Sequence, residues 1–254
     1  MQSVVDTVIV SDLHLGIKVS QAEPLLELLK NLNFKRLILL GDVFEDNNLN
    51  RLNREQWQVL SYIRSLTNPK RDKEVIWVRG NHDRKMYKNI SPLVGVHFVE
   101  QYAWTYNGVR YLAIHGDQFD YYMSKSRRFT EVISKAYSFI RNIDFGNSAI
   151  TSLIDKIHNS LLRPRSRLAH AAAVYAHEHN ASIIFCGHTH EVFSKSFVIS
   201  GKTITYHNTG CWTKLPATYA VIGKAGVEVR SYPKENGVSR FLRSHSFFRE
   251  PVQK

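Results

Sequence analysis

The chain is poor in several things. Its 254 residues include two cysteines, three methionines and seven prolines. Two thiols cannot build a disulfide scaffold, and Cys186 and Cys211 form no Cys-x-x-Cys pair that would suggest a thiolate metal site. Both read as free, buried thiols. No apolar run approaches the ~20 residues that cross a bilayer. There is no internal repeat and no low-complexity segment. Acids are scarce as well: 22 Asp and Glu against 34 Lys and Arg leave a formal charge of +12. That excess favours anionic partners such as phosphates, nucleic acid or anionic lipid, although a merely basic surface gives the same sum. Met1-Gln2-Ser3 has no basic stretch ahead of an apolar one, so the expectation is no signal peptide and a cytoplasmic location.

What is present is a globular chain, 43% apolar, long enough for one good core. Apolar, β-branched runs alternate with helical stripes through the first half, as in βαβ units. Residues 22–32 place Leu25, Leu28, Leu29 and Leu32 on one helical face, and residues 54–66 do the same with Trp57, Leu60 and Ile63. From about 121 to 180 the pattern becomes wholly helical. Stripes run through Phe129, Val132, Ile133, Ala136, Tyr137 and Ile140, and through Ile150, Leu153, Ile154, Ile157 and Leu161. After Arg163-Pro164-Arg165, Ser166 is a candidate cap for a helix over 168–179. Strands return near Ser182, Phe197, Thr203, Tyr219 and Val227, with turns at Ser200-Gly201 and Lys224-Ala225-Gly226. The expected organisation is one domain over 1–232, with a helical cap inserted at about 121–180 and a basic tail over 233–254.

Five of the short apolar runs end alike. Residues 4–10 lead into Ser11-Asp12-Leu13-His14, and 37–40 into Gly41-Asp42-Val43-Phe44-Glu45. Residues 75–78 lead into Gly80-Asn81-His82-Asp83, 109–114 into His115-Gly116-Asp117, and 182–185 into Cys186-Gly187-His188-Thr189-His190. On an extended chain residues i and i+2 point the same way, so His188 and His190 can face one site. Ligands of open α/β sheets gather outside the carboxyl ends of strands, which predicts one shared crevice. Asp12, His14, Asp42, Asn81, His115, His188 and His190 offer carboxylate, amide and imidazole, a set suited to Mn, Fe, Co or Zn. Seven ligands are too many for one tetrahedral ion and fit two ions sharing a carboxylate. Asp42, after the Gly41 turn, is the candidate bridge. Two ions about 3.5–4 Å apart clamp a phosphoryl group for in-line displacement and lower the pKa of a bridging water toward ~7.

These five motifs, in this order and covering roughly residues 4–230, resemble the calcineurin-like metallophosphoesterases. The resemblance implies a four-layer α/β/β/α sandwich of two mixed sheets. It implies one ion on Asp12, His14, Asp42 and His190, and a second on Asp42, Asn81, His115 and His188, with Mn the first expectation. It implies that His82 touches the phosphate and protonates the leaving oxygen. Gly41-Asp42-Val43-Phe44-Glu45, His115-Gly116-Asp117-Gln118-Phe119-Asp120, the helical insertion and Asn208-Thr209-Gly210-Cys211-Trp212 resemble the UDP-2,3-diacylglucosamine pyrophosphohydrolase branch. Those enzymes release UMP and a diacylglucosamine phosphate at the inner membrane, under a lid of inserted helices. They typically carry Arg where His82 stands; a sister branch has the His.

The favoured expectation is therefore a dinuclear-metal hydrolase of a nucleotide-linked glycolipid pyrophosphate, in peripheral contact with anionic membrane. The alternatives are a phosphodiesterase or phosphatase on soluble nucleotides or nucleic acid, and a binding scaffold that keeps the fold without catalysis. Lys125, Arg127 and Arg128 are candidates for substrate phosphate, with a solvated basic face equally open. They belong to a stretch between Ser124 and His170 that holds nine Lys or Arg and three acids. Phe119, Tyr121, Tyr122 and Met123 are candidates to grip an acyl chain or a base, with ordinary packing the stronger reading. Glu45 is expected to orient a ligand, as outer carboxylates do. Asp83 and Asp117 read as turn or outer residues. His97, His158, His170, His177 and His179 read as surface, and His207 as the surface of a strand.

Overall fold

The computed structural model describes residues 5–83, 90, 94–96, 98–120 and 165–233. Lys125, Arg127, Arg128, Tyr121, Tyr122, Met123, the two stripes between 129 and 161, His97, His158 and the tail after 233 lie outside the described residues.

One sheet holds β1 (Val5–Val10), β2 (Phe34–Leu40), β3 (Glu74–Val78) and β4 (Phe98–Val99), joined by β10 (Ala217–Gly223) and β11 (Gly226–Tyr232) from the end of the described chain. Its order is β11-β10-β1-β2-β3-β4. The other holds β5 (Gln101–Tyr106), β6 (Val109–Ile114), β7 (Ile183–Cys186), β8 (Phe193–Ile199) and β9 (Lys202–Asn208), in the order β5-β6-β7-β9-β8. Both are mixed. β1, β2 and β3 run parallel, as do β6 and β7, while β10 and β5 run against their neighbours.

The layers follow from the two-residue period of the strands. Val8 and Val10 of β1, with Leu37 and Leu39 of β2, face outward onto α1 (Ala22–Asn31) and α2 (Arg54–Leu66). Ile9, Ile38 and Leu40 face inward against Tyr111, Ala113 and Phe185 of the second sheet. Leu112, Ile184 and Tyr206 then face outward onto α3, the helix over residues 165–178. Ala169, Ala172, Ala173 and Ala176 line the buried side of α3; such small side chains let a helix lie close to a sheet. The result is the expected α/β/β/α sandwich.

Helix α2 departs from its expected stripe. Its buried side is Gln56, Val59, Leu60, Ile63 and Leu66, and Trp57 is exposed. Gln56 takes the inner position because polar partners are there. Its amide oxygen accepts from Asn53 N and Gly16 N, and its Nε2 donates to Ile17 O. Asn53 and Gln56 form a capping box, which fixes where the helix begins. Helix α3 begins earlier than expected, so Ser166 lies within it and accepts from Lys195 Nζ at 2.9 Å.

Two features were not read from the chain. Strand β5 escaped, although its hairpin signal is plain: Asn107 and Gly108 have φ of 50° and 74°, the two positive angles of a type I′ turn. Its Trp104 stacks with Tyr102 and Tyr111, building an aromatic ladder across the second sheet. His207 was expected at a strand surface and is instead buried at 2% exposure, its ring stacked on Phe185. Its Nδ1 pairs with Ser194 Oγ at 2.8 Å, and among the described residues its Nε2 has no hydrogen-bond partner.

Burial holds His207 neutral, with its pKa lowered from 6.5 to about 4. The folded value lies below the unfolded one, so the unfolded chain binds the proton first as pH falls. The stability is present above the unfolded value and drains away between 6.5 and about 4. His207→Phe keeps a ring on Phe185 and removes the titration. Denaturant unfolding across that window should show the variant with a shallower slope, by up to about 1.4 kcal/mol per pH unit. Parallel slopes in the two proteins would refute this account.

Candidate metal centre

The carboxyl ends of β1, β2, β3, β6 and β7 meet along one edge of the sandwich, and the seven candidate ligands follow those ends. Main-chain bonds stack the loops. Asp12 N donates to Gly41 O, His14 N to Asp42 O, and Leu15 N to Val43 O, at 3.1, 3.0 and 2.8 Å. Gly187 N donates to His115 O, which ties β7 to β6, and Trp212 N donates to Asp12 O.

The backbone at the centre is bent out of its ordinary range. Asp12, His14, Asp42, His188 and His190 have φ of 54°, 47°, 50°, 66° and 58°. Left-handed backbone of this kind costs roughly 1–3 kcal/mol per non-glycine residue and persists where surroundings enforce it. Glycines make the room. A Cβ on Gly41 would overlap the His115 ring, one on Gly80 the Asp42 carboxylate, and one on Gly187 the Asp12 carboxylate.

Two groups of donors result. In the first, Asp12, His14 and His190 converge, with His14 Nε2 and His190 Nε2 3.0 Å apart and His190 Nε2 3.2 Å from Asp12 Oδ1. In the second, Asp42, His115 and His188 converge, and His115 Nε2 lies 3.3 Å from Asp42 Oδ2 and 3.2 Å from Asn81 Oδ1. Within each group the donor atoms lie within 4.8 Å of one another. The structure thus brings all seven candidates to this edge.

Whether a cation fits can be judged from the protons. His115 Nδ1 lies 3.0 Å from the carbonyl of Leu40, which only accepts, so Nδ1 carries the ring's hydrogen. The Nε2 lone pair of a neutral ring then points at a carboxylate oxygen and an amide oxygen. His14 repeats the arrangement, with Nδ1 2.7 Å from Glu45 Oε2 and Nε2 toward His190. Acceptors aimed at acceptors need a positive charge between them, and divalent metals supply one to this donor set. The titration behaviour expresses the same need. Burial opposes charge on His115, yet the Asp42 and Asp12 carboxylates raise its pKa to about 10. Burial likewise works against ionised Asp42, but His115 and the His82 N–H bring it to about 2. The Asp12 carboxylate raises His190, while burial lowers His14 against the pull of Asp12, Asp42 and Glu45.

Glu45 holds His14 through its side chain and His82 through its main chain, whose carbonyl accepts from His82 Nδ1 at 2.5 Å. The His82 ring stands edge-on to His14 with centroids 5.1 Å apart, and His82 N donates to Asp42 Oδ1 at 2.9 Å. Glu45, His14 and His82 also lie close enough to form a third possible donor group. Asp83 is wholly buried under the Asp42 loop and accepts from Val43 N, Phe44 N and Trp77 Nε1. Burial and the charge of Asp42 raise its pKa to about 6. Asp117 opens a short 3-10 turn, Asp117–Phe119, at the end of β6. Phe119, a candidate to grip substrate, packs in the core under α3.

Some supporting residues escaped the sequence reading. Asn208 Nδ2 donates to Gly187 O and Thr189 Oγ1, bracing the His188-Thr189-His190 loop, and Asn208 Oδ1 accepts from Gly210 N. The signal was an Asn two residues before a glycine at a strand end, an Asx turn. Ser11 Oγ bonds Thr209 Oγ1 at 2.7 Å beneath the same loop. Asp120 Oδ1 lies 2.6 Å from His188 Nε2, and no spacing rule pointed to it.

The sequence profile of the calcineurin-like phosphoesterases matches residues 6–192, well over half of the chain. The chain belongs to that family. Every strand end just described except the loop after β9 falls inside the matched span. Solved structures similar to this calcineurin-like phosphoesterase include a Vps29 mutant from Entamoeba histolytica, 15% identical, covering 92% of this chain and 96% of that one, with a TM-score of 0.48. An archaeal phosphodiesterase is 12% identical over 89% and 98% of the two chains at 0.46, and the Pseudomonas putida nuclease MPE 16% identical over 85% and 84% at 0.35. No curated protein matches the chain in sequence.

The tight approach at Gly80 can be tested. Gly80→Ala pushes a methyl group into the Asp42 carboxylate and main chain. Overpacking of this kind should cost about 1–3 kcal/mol in denaturant unfolding and weaken divalent-metal binding in calorimetric titration. Gly223→Ala, whose nearest new neighbour would be Val5 Cγ1 at 3.8 Å, is the control and should leave metal binding unchanged.

Proposed function

We propose that this chain is a hydrolase of phosphoester or pyrophosphate bonds that works with two divalent metal ions, manganese being the first candidate. The observation that carries the reading is the pair of donor groups, Asp12–His14–His190 and Asp42–His115–His188, side by side at one sandwich edge. Asn81 joins the second group through His115 Nε2, and Asp42 would be the carboxylate shared by the two ions. When bound, two divalent ions supply Lewis acidity toward a phosphoryl group and a hydroxide nucleophile near neutral pH. The protein's part is to hold and orient. Asp42 spans the centre with one oxygen toward His115 and the other toward His82 N. His82 spends its Nδ1 hydrogen on Glu45 O, so its Nε2 is the nitrogen left to protonate the leaving oxygen, which it would do from the imidazolium form.

The glycolipid pyrophosphate and the anionic membrane rest on the motif resemblance and on residues 121–164, outside the described structure. Soluble nucleotides and nucleic acid are served by the same centre. A metal-holding scaffold without catalysis is the second reading, and turnover of bis(p-nitrophenyl) phosphate separates the two.

Asp42→Ala should bind far less metal than the parent and lose nearly all turnover of bis(p-nitrophenyl) phosphate. Elemental analysis showing one metal per active parent chain would refute the dinuclear reading. His82→Ala should retain metal and lose roughly 10²–10⁴-fold in turnover, the usual worth of general acid catalysis. The loss should shrink on substrates with good leaving groups. Equal losses across leaving groups would remove the acid role from His82.

A further inference from the structure

Three rings at the centre are each held through one nitrogen. His14, His82 and His115 all spend Nδ1, on Glu45 Oε2, Glu45 O and Leu40 O respectively. His14 and His115 therefore present Nε2 to the donor groups. His188 is held the other way round. Its Nε2 lies 2.6 Å from Asp120 Oδ1. An ionised carboxylate only accepts, so Nε2 carries the ring hydrogen and Nδ1 keeps the lone pair.

The two ends of His188 are fixed independently. Its main-chain N–H donates to both oxygens of Asp12, at 3.1 Å each. Its ring stands edge-on to His115, with centroids 5.2 Å apart, and among the described residues its hydrogen bond comes from the Asp120 side. Asp120 itself is presented by an anchored turn. Phe119 N donates to Gly116 O at 3.0 Å, and the Asp120 N–H closes the same turn onto Asp117 O. Phe119 is buried at 5% exposure and meets the Tyr175 ring of α3 at 5.9 Å between centroids. A short, packed turn thus delivers the carboxylate to the rim, where its side chain is 58% exposed while His188 is 19% exposed.

We propose that Asp120 is the positioning residue of the second donor group: it fixes His188 in the Nε2–H form and aims Nδ1 at the group shared with Asp42 and His115. It holds no ion in this assignment and acts only through the ring. Partners of this kind usually change metal affinity or activity by 10–100-fold when removed. The metal consequence rests on the dinuclear reading above, whereas the state of the ring does not.

The experiment has one arm without metal and one with it. In metal-free, 15N-labelled protein, long-range 1H–15N spectra of the imidazoles report which nitrogen carries hydrogen, and the His188 signals are assigned by their loss in His188→Gln. The parent should show His188 as Nε2–H. Asp120→Ala should show a mixture of tautomers. Asp120→Asn keeps an oxygen acceptor and should keep the Nε2–H form, which also guards against a variant that simply folds poorly. In zinc titrations by calorimetry, Asp120→Ala should bind its second ion about 10–100-fold more weakly than the parent, with the first ion little changed. Asp120→Asn should fall between them. An unaltered His188 tautomer in Asp120→Ala overturns the proposal, as does an unaltered second affinity in a parent that binds two ions. A tautomer that follows Asp120 in a parent that binds fewer than two ions supports the positioning role and rejects the dinuclear reading instead.

Discussion

Acceptors without enough hydrogens govern this molecule. At one edge of the sandwich, carboxylates, an amide oxygen and imidazole lone pairs point at each other. Each ring's hydrogen is already spent on a group behind it: Leu40 O for His115 and Glu45 for His14. The main chain is bent into left-handed geometry at Asp12, His14, Asp42, His188 and His190 to bring this about. Glycines at 41, 80 and 187 leave no room for any other side chain. Among the described residues these polar groups stand apart from the three apolar clusters, to which their loops contribute Leu13, Val43 and Phe44. Strain and like-with-like polarity concentrated in one place are the marks of a site whose missing component is positive charge.

Much of this was legible in the chain because it is local. A buried strand that stops at a polar residue can be read from eight or ten residues, and β1, β2, β3, β6 and β7 were found that way. The i, i+2 geometry of His188 and His190 is also local. What escaped is set by distant partners. Trp57 and Gln56 are adjacent on α2, and only the carbonyl of Ile17 and the N–H of Gly16 explain why Gln56 faces inward and the indole outward. His207 looks like any strand histidine until the second sheet places Phe185 beneath it. Asp120 and His188 are 68 positions apart, and no periodicity joins them. Strand β5 is the exception, since Asn107-Gly108 announced its hairpin and went unread.

The outer groups also explain how a mixed pair of sheets makes a rigid centre. β1, β2 and β3 belong to one sheet and β6 and β7 to the other, and only side chains and loops connect the two at this edge. Each link crosses that gap or braces a loop at it. His115 of the second sheet reaches Leu40 and Asp42 of the first. The main chain of His188 reaches Asp12. Ser11 reaches Thr209. Sliding one sheet against the other would break all of these together, so the donor groups are held by the same packing that forms the core between the sheets.

The groups of the centre share one kind of position in the fold. Every candidate ligand, and every group seen to orient one, sits on a described strand end or on the loop just after it. Between Asp120 and Arg165 the sequence runs through residues 121–164, outside the described structure. Those 44 residues carry Lys125, Arg127, Arg128, Lys135, Arg141, Lys156 and Arg163 against Glu131, Asp144 and Asp155. Seven basic and three acidic residues give this segment a net charge of +4 (7 − 3), a third of the +12 on the whole chain. Asp120 closes the anchored turn after β6 and its carboxylate meets His188 Nε2, so the last described residue before 121 is tied to the centre itself.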